Sequence, residues 1–250
     1  MSGHSKWSTI KRKKAANDAK RGAVFTRLAK EIAVAAREGG GDTEVNFALR
    51  LAVDRAKEAN MPKDNIERSI RRGTGEDKSE TEFEQITYEA YGPHGVALLI
   101  EVITDNRNRT VADVRHLLTS SNGSMGETGS VAWQFSRAAY FGFPADGLSP
   151  EKIFELAVEA GAEDVTLEDY IEIVGPVEAF KPISDGLKAA GVRPEEAELV
   201  WLPNNPVSLA AEETLQVARL IEHLEELDDV RAVYSNLDLD EEAVELLETA

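Results

Sequence analysis

The spacing of apolar residues changes near Phe83, and this change limits what the chain can fold into. Before it, apolar residues recur at every third or fourth position over 18–38, 43–59 and 62–72, which predicts three helices. After it, the helical spacing is lost, and two largely apolar segments within 83–104 flank the turn sequence GPHG, which predicts a β-hairpin. The sequence therefore predicts an α+β protein that begins with a three-helix domain.

The second strand of this hairpin is apolar on both faces. Leu98 and Ile100 would share one face, and Ala97 and Leu99 the other. A strand that buries both faces has packed layers on either side of it. This strand is therefore expected to lie at the centre of its sheet.

Short helices and strands alternate over the rest of the chain. The predicted helices cover 109–121, 150–160, 177–190 and 210–227, and the predicted strands cover 130–136, 169–175, 197–203 and 230–239. Within the first of these strands, Val131, Trp133 and Phe135 are expected to share one face. An acidic helix is expected at 240–250.

This order of elements predicts two small α+β domains, one inserted in the other. A four-stranded split β-α-β (ferredoxin-like) unit needs two helices, and the stretch 83–143 supplies only one. Residues 206–238 would supply a second helix and a strand. We therefore expect a basic helical domain at 1–80, a discontinuous α+β domain at 81–144 plus 206–250, and an inserted α+β domain at 145–205.

Charge is distributed unevenly along the chain, whose formal net charge is −18. Residues 1–80 carry 18 Lys and Arg against 12 Asp and Glu, whereas residues 81–250 carry 10 against 34. Within the first 30 residues, nine basic side chains face one acidic side chain. Because salt screens charges beyond about 8 Å, a polyanion responds to the local excess rather than to the total. One module should therefore attract nucleic acid while the rest repels it.

The basic residues at the amino end form the main candidate site. Lys and Arg side chains can neutralise phosphates and release counterions, and an aromatic ring among them can stack on a base. The competing interpretation is a solvated helix face; Phe25 is assigned to the core, and for Trp7 both roles stay open. The acidic remainder of the chain argues against a chance excess of basic residues. Nucleic-acid binding is therefore predicted for Lys6, Trp7, Lys11, Arg12, Lys13, Lys14, Lys20, Arg21, Arg27 and Lys30.

A second candidate site lies in ITDNRNRT, residues 103–110, where a strand is followed by a helix. Asn108 or Thr110 could cap that helix and leave Arg107 and Arg109 beside its N-terminal amides, an arrangement that would bind an anion. The alternative is a capped helix in which an arginine pairs with a neighbouring carboxylate. Spacing alone slightly favours this alternative.

The sequence contains no motif for catalysis, a cofactor or a metal. The glycine-rich GSMGETGS at 123–130 lacks the Lys-Ser/Thr and the helix that complete a phosphate loop, so it is interpreted as a turn. The chain has no cysteine, and its four histidines are scattered without ligand spacing. We therefore expect that the protein is not an enzyme and that it uses no cofactor and no metal.

The sequence also bears on where the protein works. It has no run of about 20 apolar residues that could span a bilayer, and its amino end lacks the apolar core of a signal peptide. The absence of cysteine fits a reducing compartment. A cytoplasmic location without a membrane partner is expected.

Four long segments resemble the YebC/PmpR family: GHSKWSTIKRKKAANDAKRGAVFTRLAKEI, AKEANMPKDNIERSIRRGTGE, YEAYGPHGVALLIEVITDNRNRTVADVRH and GETGSVAWQF. That family includes the mitochondrial translational activator of cytochrome c oxidase subunit I. The resemblance covers essentially the whole chain and implies a helical domain followed by two α+β domains, one inserted in the other. It also implies a cytoplasmic, non-enzymatic regulator that binds DNA, whereas other members are linked to translation at stalled ribosomes.

One position departs from the family pattern. His94 stands where the family is expected to have glycine, in a turn of the form GPGG. Gly95 remains, so the hairpin should persist with a different turn type.

These observations leave four functions to weigh. The basic module could bind duplex DNA as part of the transcription machinery, or ribosomal RNA as a ribosome-bound translation factor. A protein–protein adaptor and an unrecognised enzyme are the other two.

The third helix carries Asp64 and Glu67 at its start, which would repel phosphate, so reading of a DNA groove is not established. A basic arm with aromatic residues recognises the shape and the backbone of a nucleic acid. RNA is therefore expected as a ligand equally with DNA. No oligomeric state is predicted.

Overall fold

The computed structural model describes residues 21–76 and 83–239. Most of the basic arm, the linker after the third helix and the predicted acidic helix at 240–250 lie outside the described residues.

The helical domain consists of α1 (Arg21–Gly39), α2 (Phe47–Glu58) and α3 (Lys63–Thr74). Its three apolar stripes meet in one core, because helical spacing places residues three and four apart on the same face. The buried residues of this core are Ile32, Ala35, Ala36, Leu49, Ala52, Val53, Ala56, Met61 and Ile66. Phe25 packs against them, which confirms its assignment to the core.

Helix α2 begins four residues later than the apolar pattern predicts. The side chain of Asn46 accepts a hydrogen bond from the backbone N–H of Leu49 at 3.0 Å, which caps the helix. The predicted helix over 43–59 would have placed Val45 on its inward face, but Val45 precedes the helix and is 81 % exposed.

Helix α3 continues through Gly73, where it was expected to end. A Cβ at this position would lie 2.2 Å from the carbonyl oxygen of Ala33, so glycine is what allows α3 to approach α1 closely. The helix ends at Thr74, and Gly75 follows in the left-handed conformation with φ of 78°.

The rest of the described chain alternates strands and helices. In order these are β1 (Glu84–Tyr91), β2 (Ala97–Thr104), α4 (Arg107–Ser120), β3 (Ser124–Met125), β4 (Phe135–Pro144), α5 (Pro150–Glu159), β5 (Asp164–Leu167), β6 (Tyr170–Gly175), α6 (Phe180–Ala189), β7 (Glu196–Pro203), α7 (Ala211–Glu225) and β8 (Val230–Ser235).

The strands form two antiparallel sheets. The first sheet has the order β3-β1-β2-β8, and α4 and α7 pack on one of its faces. The second sheet has the order β5-β6-β4-β7, and α5 and α6 cover it in the same way. The second unit thus has the β-α-β-β-α-β order of a ferredoxin-like fold. Strand β8 joins the first sheet through β2, so this sheet is built from two distant parts of the chain.

Strand β4 changes the expected division of the chain. It pairs with β6 and, from Phe135 to Gly142, with β7, so it belongs to the second sheet. The division expected at 144/145 would have assigned this strand to the first sheet. The second unit therefore begins near Phe135. Pairing between strands that are distant in sequence determines which sheet β4 joins, and the local spacing of apolar residues does not predict this pairing.

The segment before β4 is not the strand that alternation suggests. Ala132–Gln134 form a single 3₁₀ turn, and this turn directs Trp133 outward, where it is 68 % exposed. Val131 and Phe135 are buried on either side of it. The expectation that these three residues share one face is therefore wrong.

The two sheets pack together through the faces that their helices leave open. Leu99 of β2 and Tyr234 of β8 meet Tyr140 of β4 and Val200 of β7 in one apolar layer. The alternate residues of β2, among them Leu98, pack under α4 and α7. Strand β2 is buried on both faces, which confirms its central position.

The hairpin between β1 and β2 retains its register despite His94. Tyr91 pairs with Ala97, and Pro93–Gly95 form one 3₁₀ turn. His94 and Gly95 both adopt positive φ, at 59° and 78°. The side chain of His94 contacts Gln216 on α7 at 3.0 Å, so this histidine secures the turn to the helix.

Candidate nucleic-acid interface

Most of the predicted nucleic-acid-binding residues precede the described chain. Lys6, Trp7, Lys11, Arg12, Lys13, Lys14 and Lys20 lie outside it. Arg21 is described by its backbone, as the first residue of α1. Arg27 and Lys30 follow on the same helix, and their contacts show what this helix does.

Arg27 and Lys30 bind the first-sheet domain. The Arg27 guanidinium donates to the carbonyl oxygen of Glu225 at 2.9 Å. The Lys30 ammonium donates to the carbonyl oxygen of Asp228 at 3.0 Å and to the carboxylate of Asp229 at 2.7 Å. Lys30 is only 9 % exposed. Lys30 therefore forms a contact between domains and is not part of a phosphate-binding surface, which corrects the prediction.

Asp229 is the centre of this contact, since four side chains donate to its carboxylate. Besides Lys30, the donors are Arg109 at 2.7 Å, Thr110 at 2.7 Å and Thr104 at 3.1 Å. Burial alone would raise the pKa of Asp229, but the hydrogen bonds from Arg109, Lys30 and Thr110 outweigh it and hold this pKa well below its usual range. The carboxylate is therefore ionised and joins the helical domain to the first sheet.

Both arginines of the second candidate site are exposed, but one of them, Arg109, is paired with carboxylates. Arg109 also donates to Asp105 at 3.0 Å, so two carboxylates neutralise it. The helix is capped by Asn106, whose side chain accepts from the backbone N–H of Arg109 at 3.1 Å, and not by Asn108 or Thr110. Arg109 and its cap therefore match the alternative interpretation of the sequence, a capped helix in which an arginine pairs with a neighbouring carboxylate. Arg107 is exposed in the first turn of α4.

A second group of buried charges, which sequence reasoning missed, joins all three domains. Glu101 of β2 is 3 % exposed and accepts from Arg137 of β4 at 2.9 Å, Trp201 of β7 at 2.9 Å and Arg231 of β8 at 2.7 Å. Carboxylates are rarely this buried unless cations pair with them. The sequence signal was a glutamate in an otherwise apolar strand.

The same network extends into the helical domain. Glu31 of α1 pairs with Arg231 at 3.6 Å and with Arg55 of α2 at 2.7 Å. Arg55 in turn reaches Glu198 of β7 at 3.6 Å. We call the set Glu31, Arg55, Glu101, Arg137, Glu198 and Arg231 the junction network. It fixes the helical domain against both sheets.

Helix α3 carries further basic residues that the site prediction omitted. Arg68 and Arg71 are exposed one turn apart. Arg72 places its guanidinium 4.1 Å from the centre of the Phe83 ring, so it helps to attach the helical domain to the first strand. The run RSIRR in the sequence signals these residues.

The glycine-rich segment at 123–130 uses its backbone amides internally. The carboxylate of Glu89 accepts from the N–H groups of Gly129, Val131 and Ala132 at 2.6 to 2.8 Å. Burial acts to raise the pKa of Glu89, but these backbone hydrogen bonds lower it below its ordinary value. An anion from this chain already occupies the amides. The segment contains the short strand β3 followed by a turn, so the predicted turn covers only its second half.

Two negative observations concern the part of the chain that the structure describes. In 21–76 and 83–239, no helix combines the length and apolarity needed to cross a bilayer. Over the same residues, no three His, Asp or Glu side chains converge as ligands for a metal ion.

Comparisons with known proteins agree with this architecture. Residues 5–76 match the family model described as the TACO1/YebC protein N-terminal domain, and residues 83–237 match the one described as the TACO1/YebC second and third domain. A "Probable transcriptional regulatory protein" from Rubrobacter xylanophilus is 52 % identical over 245 residues, which is 98 % of each chain. A protein of the same description from Chlorobaculum tepidum is 49 % identical over 250 residues, 99 % of each chain.

A solved structure is also similar. The crystal structure of a conserved hypothetical protein, Aq1575 from Aquifex aeolicus, superposes with a TM-score of 0.82 at 42 % identity, over 90 % of this chain and 93 % of that one. Sequence and structure thus agree over nearly the whole length, and the chain belongs to the TACO1/YebC family.

Proposed function

We propose that the protein is a regulator of gene expression that binds DNA through its basic N-terminal module. The observation that carries this proposal is the excess of nine basic residues over one acidic residue in the first 30 positions of a chain with net charge −18. The relatives are named as transcriptional regulatory proteins, which supports the same role. Lys6 to Arg21 hold seven of the nine basic residues and are the proposed phosphate contacts.

The structure limits the proposed site to the residues before Arg27, because Arg27 and Lys30 contact other parts of the chain. Both attach α1 to the first-sheet domain, and Glu31 attaches it to the junction network. Helix α1, which follows the arm in sequence, is therefore held against the acidic domains. Because these domains carry a net negative charge, the phosphate contacts would lie mainly at the amino end.

Ribosomal RNA is the second candidate ligand, with translation as the regulated process. Asp64 and Glu67 are exposed in the first half of α3, and Glu67 pairs with Lys63 at 3.5 Å. A helix with acids there does not suit the major groove of DNA. Binding through shape and backbone suits RNA equally well. A protein adaptor is a third candidate, and it requires a complex that survives nuclease treatment.

A charge-matched pair of variants tests the proposal. In the arm variant, Lys11, Arg12, Lys13 and Lys14 become Ala; in the control, the exposed Lys152, Lys181, Lys188 and Arg193 of the second-sheet domain become Ala. Both variants lose four positive charges, so only the position of the loss differs. Affinity for duplex DNA and for structured RNA of equal length is measured for each.

The arm variant should bind at least about tenfold more weakly at 0.1 M salt, whereas the control should stay close to wild type. Tighter binding of duplex DNA supports the transcriptional role, and tighter binding of structured RNA supports the ribosomal one. Undiminished affinity in the arm variant would place the site elsewhere, with the exposed Arg107 next in line.

A further inference from the structure

Trp133 exposes a large aromatic ring that the fold does not use for packing. Its side chain is 68 % exposed, whereas the buried neighbours Val131 and Phe135 fill the core. Trp201 differs, since its indole N–H is bonded to Glu101 in the junction network. An exposed aromatic ring of this size offers a flat face on which another ring can stack.

The ring of Trp133 is held in place. Its Nε1 donates to the carbonyl oxygen of Ser130 at 3.0 Å, and Asn204 donates to its backbone oxygen at 3.2 Å. Glu89 fixes the preceding loop through the backbone amides already described. A ligand that stacks on the ring would therefore not need to order the loop first, which favours binding.

The surroundings of the ring are polar. Ser136 and Asn204 hydrogen-bond to each other at 2.7 Å beside it. The loop before the ring exposes Thr128 and one charged side chain, Glu127. The other strongly exposed apolar side chains, such as Val45 and Phe154, lie on other elements. Protein interfaces are centred on a contiguous apolar patch. A single ring with a polar rim instead matches one flat aromatic ligand.

We propose that Trp133 is a stacking platform for an unpaired nucleobase of single-stranded DNA or RNA. This inference rests on the proposed nucleic-acid binding and adds a site in the segment between β3 and β4. Every base presents a π-face, so a lone tryptophan can accept any of them.

The position of the platform suits a strand that also reaches the basic module. Asn236 links the backbone N–H of Ala97 to Gln134 beside Trp133, so the platform lies at the Ala97 end of β2. Helix α1 contacts Asp229, whose backbone pairs with Ile103 at the opposite end. The eight residues of β2 separate these ends by about 24 Å, and binding sites for single strands commonly span 4–16 nucleotides.

The test uses the full chain with a 16-nucleotide oligo(dA), the matching oligo(A), an abasic strand of equal length and a DNA duplex. Trp133→Ala should lower affinity for both single strands about tenfold, from the known size of base stacking. Affinity for the abasic strand and the duplex should stay within twofold of wild type. Trp133→Phe should restore most of the loss, because phenylalanine also stacks.

The outcomes separate this inference from the proposed function. If Trp133→Ala binds single strands like wild type while the arm variant binds weakly, stacking is refuted and the basic module stands. If the arm variant binds normally while Trp133→Ala loses only single strands, stacking stands and the basic module fails. Equal weakening for duplex, abasic and single strands in a Trp133→Ala protein that melts like wild type would also overturn stacking.

Discussion

The junction network and the basic arm use the same side chains in opposite ways. In the junction network, the buried Glu101 pairs at 2.7 Å with Arg231, which is 13 % exposed, so their charges cancel within the fold. In the arm, the sequence between Ser5 and Gly22 holds seven Lys and Arg and one acid, Asp18, so the local charge is strongly positive. Helix α1 joins the two regions, since it follows the arm and contributes Glu31 to the network. Whether a charged residue stabilises the fold or can bind a partner thus depends on whether an opposite charge of the same chain pairs with it.

The largest effect on stability is expected when a buried charge of the junction network is removed. Glu101→Gln keeps the shape of the side chain but leaves Arg137 and Arg231 without their carboxylate. Removing one partner of a buried ion pair costs about 3–5 kcal/mol of unfolding free energy. Chemical denaturation measures this loss. Glu84→Gln, an exposed position on the neighbouring strand β1, is the control and should change stability by less than about 0.5 kcal/mol.

If Glu101→Gln were as stable as the control, the junction network would not hold the domains together. Thermal scans of the same variants would show whether the helical domain then unfolds separately from the two sheets.

Asp229 predicts how stability changes with pH. Its pKa is lower in the folded protein than in the unfolded chain, so it stabilises the fold above about pH 4, the unfolded value. This contribution of about 2 kcal/mol is lost as the pH falls through the folded pKa. Asp229→Asn should therefore be less stable at pH 6 and should lose less stability than wild type between pH 6 and pH 3. An unchanged pH profile would contradict the role of Asp229 as an ionised link.

The smallest effects are expected from single substitutions of two lysines, Lys30 on helix α1 and Lys14 in the arm. Lys30→Met should lower the unfolding free energy by roughly 1–2 kcal/mol, because Asp229 loses a buried partner. It should leave the salt dependence of nucleic-acid binding unchanged. Lys14→Ala should do the reverse, with unchanged stability and a slope of log affinity against log salt that is about 0.9 less steep. If both lysines changed the slope alike, the distinction between the two regions would fail.

The fate of Lys30 shows why the sequence predicts the fold better than the site. Its partner Asp229 lies 199 residues further along the chain, so nothing local separates Lys30 from the lysines of the arm. The three helices and the central strand β2 were predictable because their periods are local. The pairing of β4 with β7 and the 3₁₀ turn at Trp133 depend on contacts with distant residues, and both were missed.

The salt dependence of binding tests the central claim most directly. If the basic arm contacts about five phosphates, log affinity for duplex DNA should fall against log salt with a slope near −4 to −5. The arm variant should show a slope near −1, because four of those contacts are gone. A wild-type slope near zero, or the same slope in both proteins, would contradict the claim that the amino end of this acidic protein binds a polyphosphate.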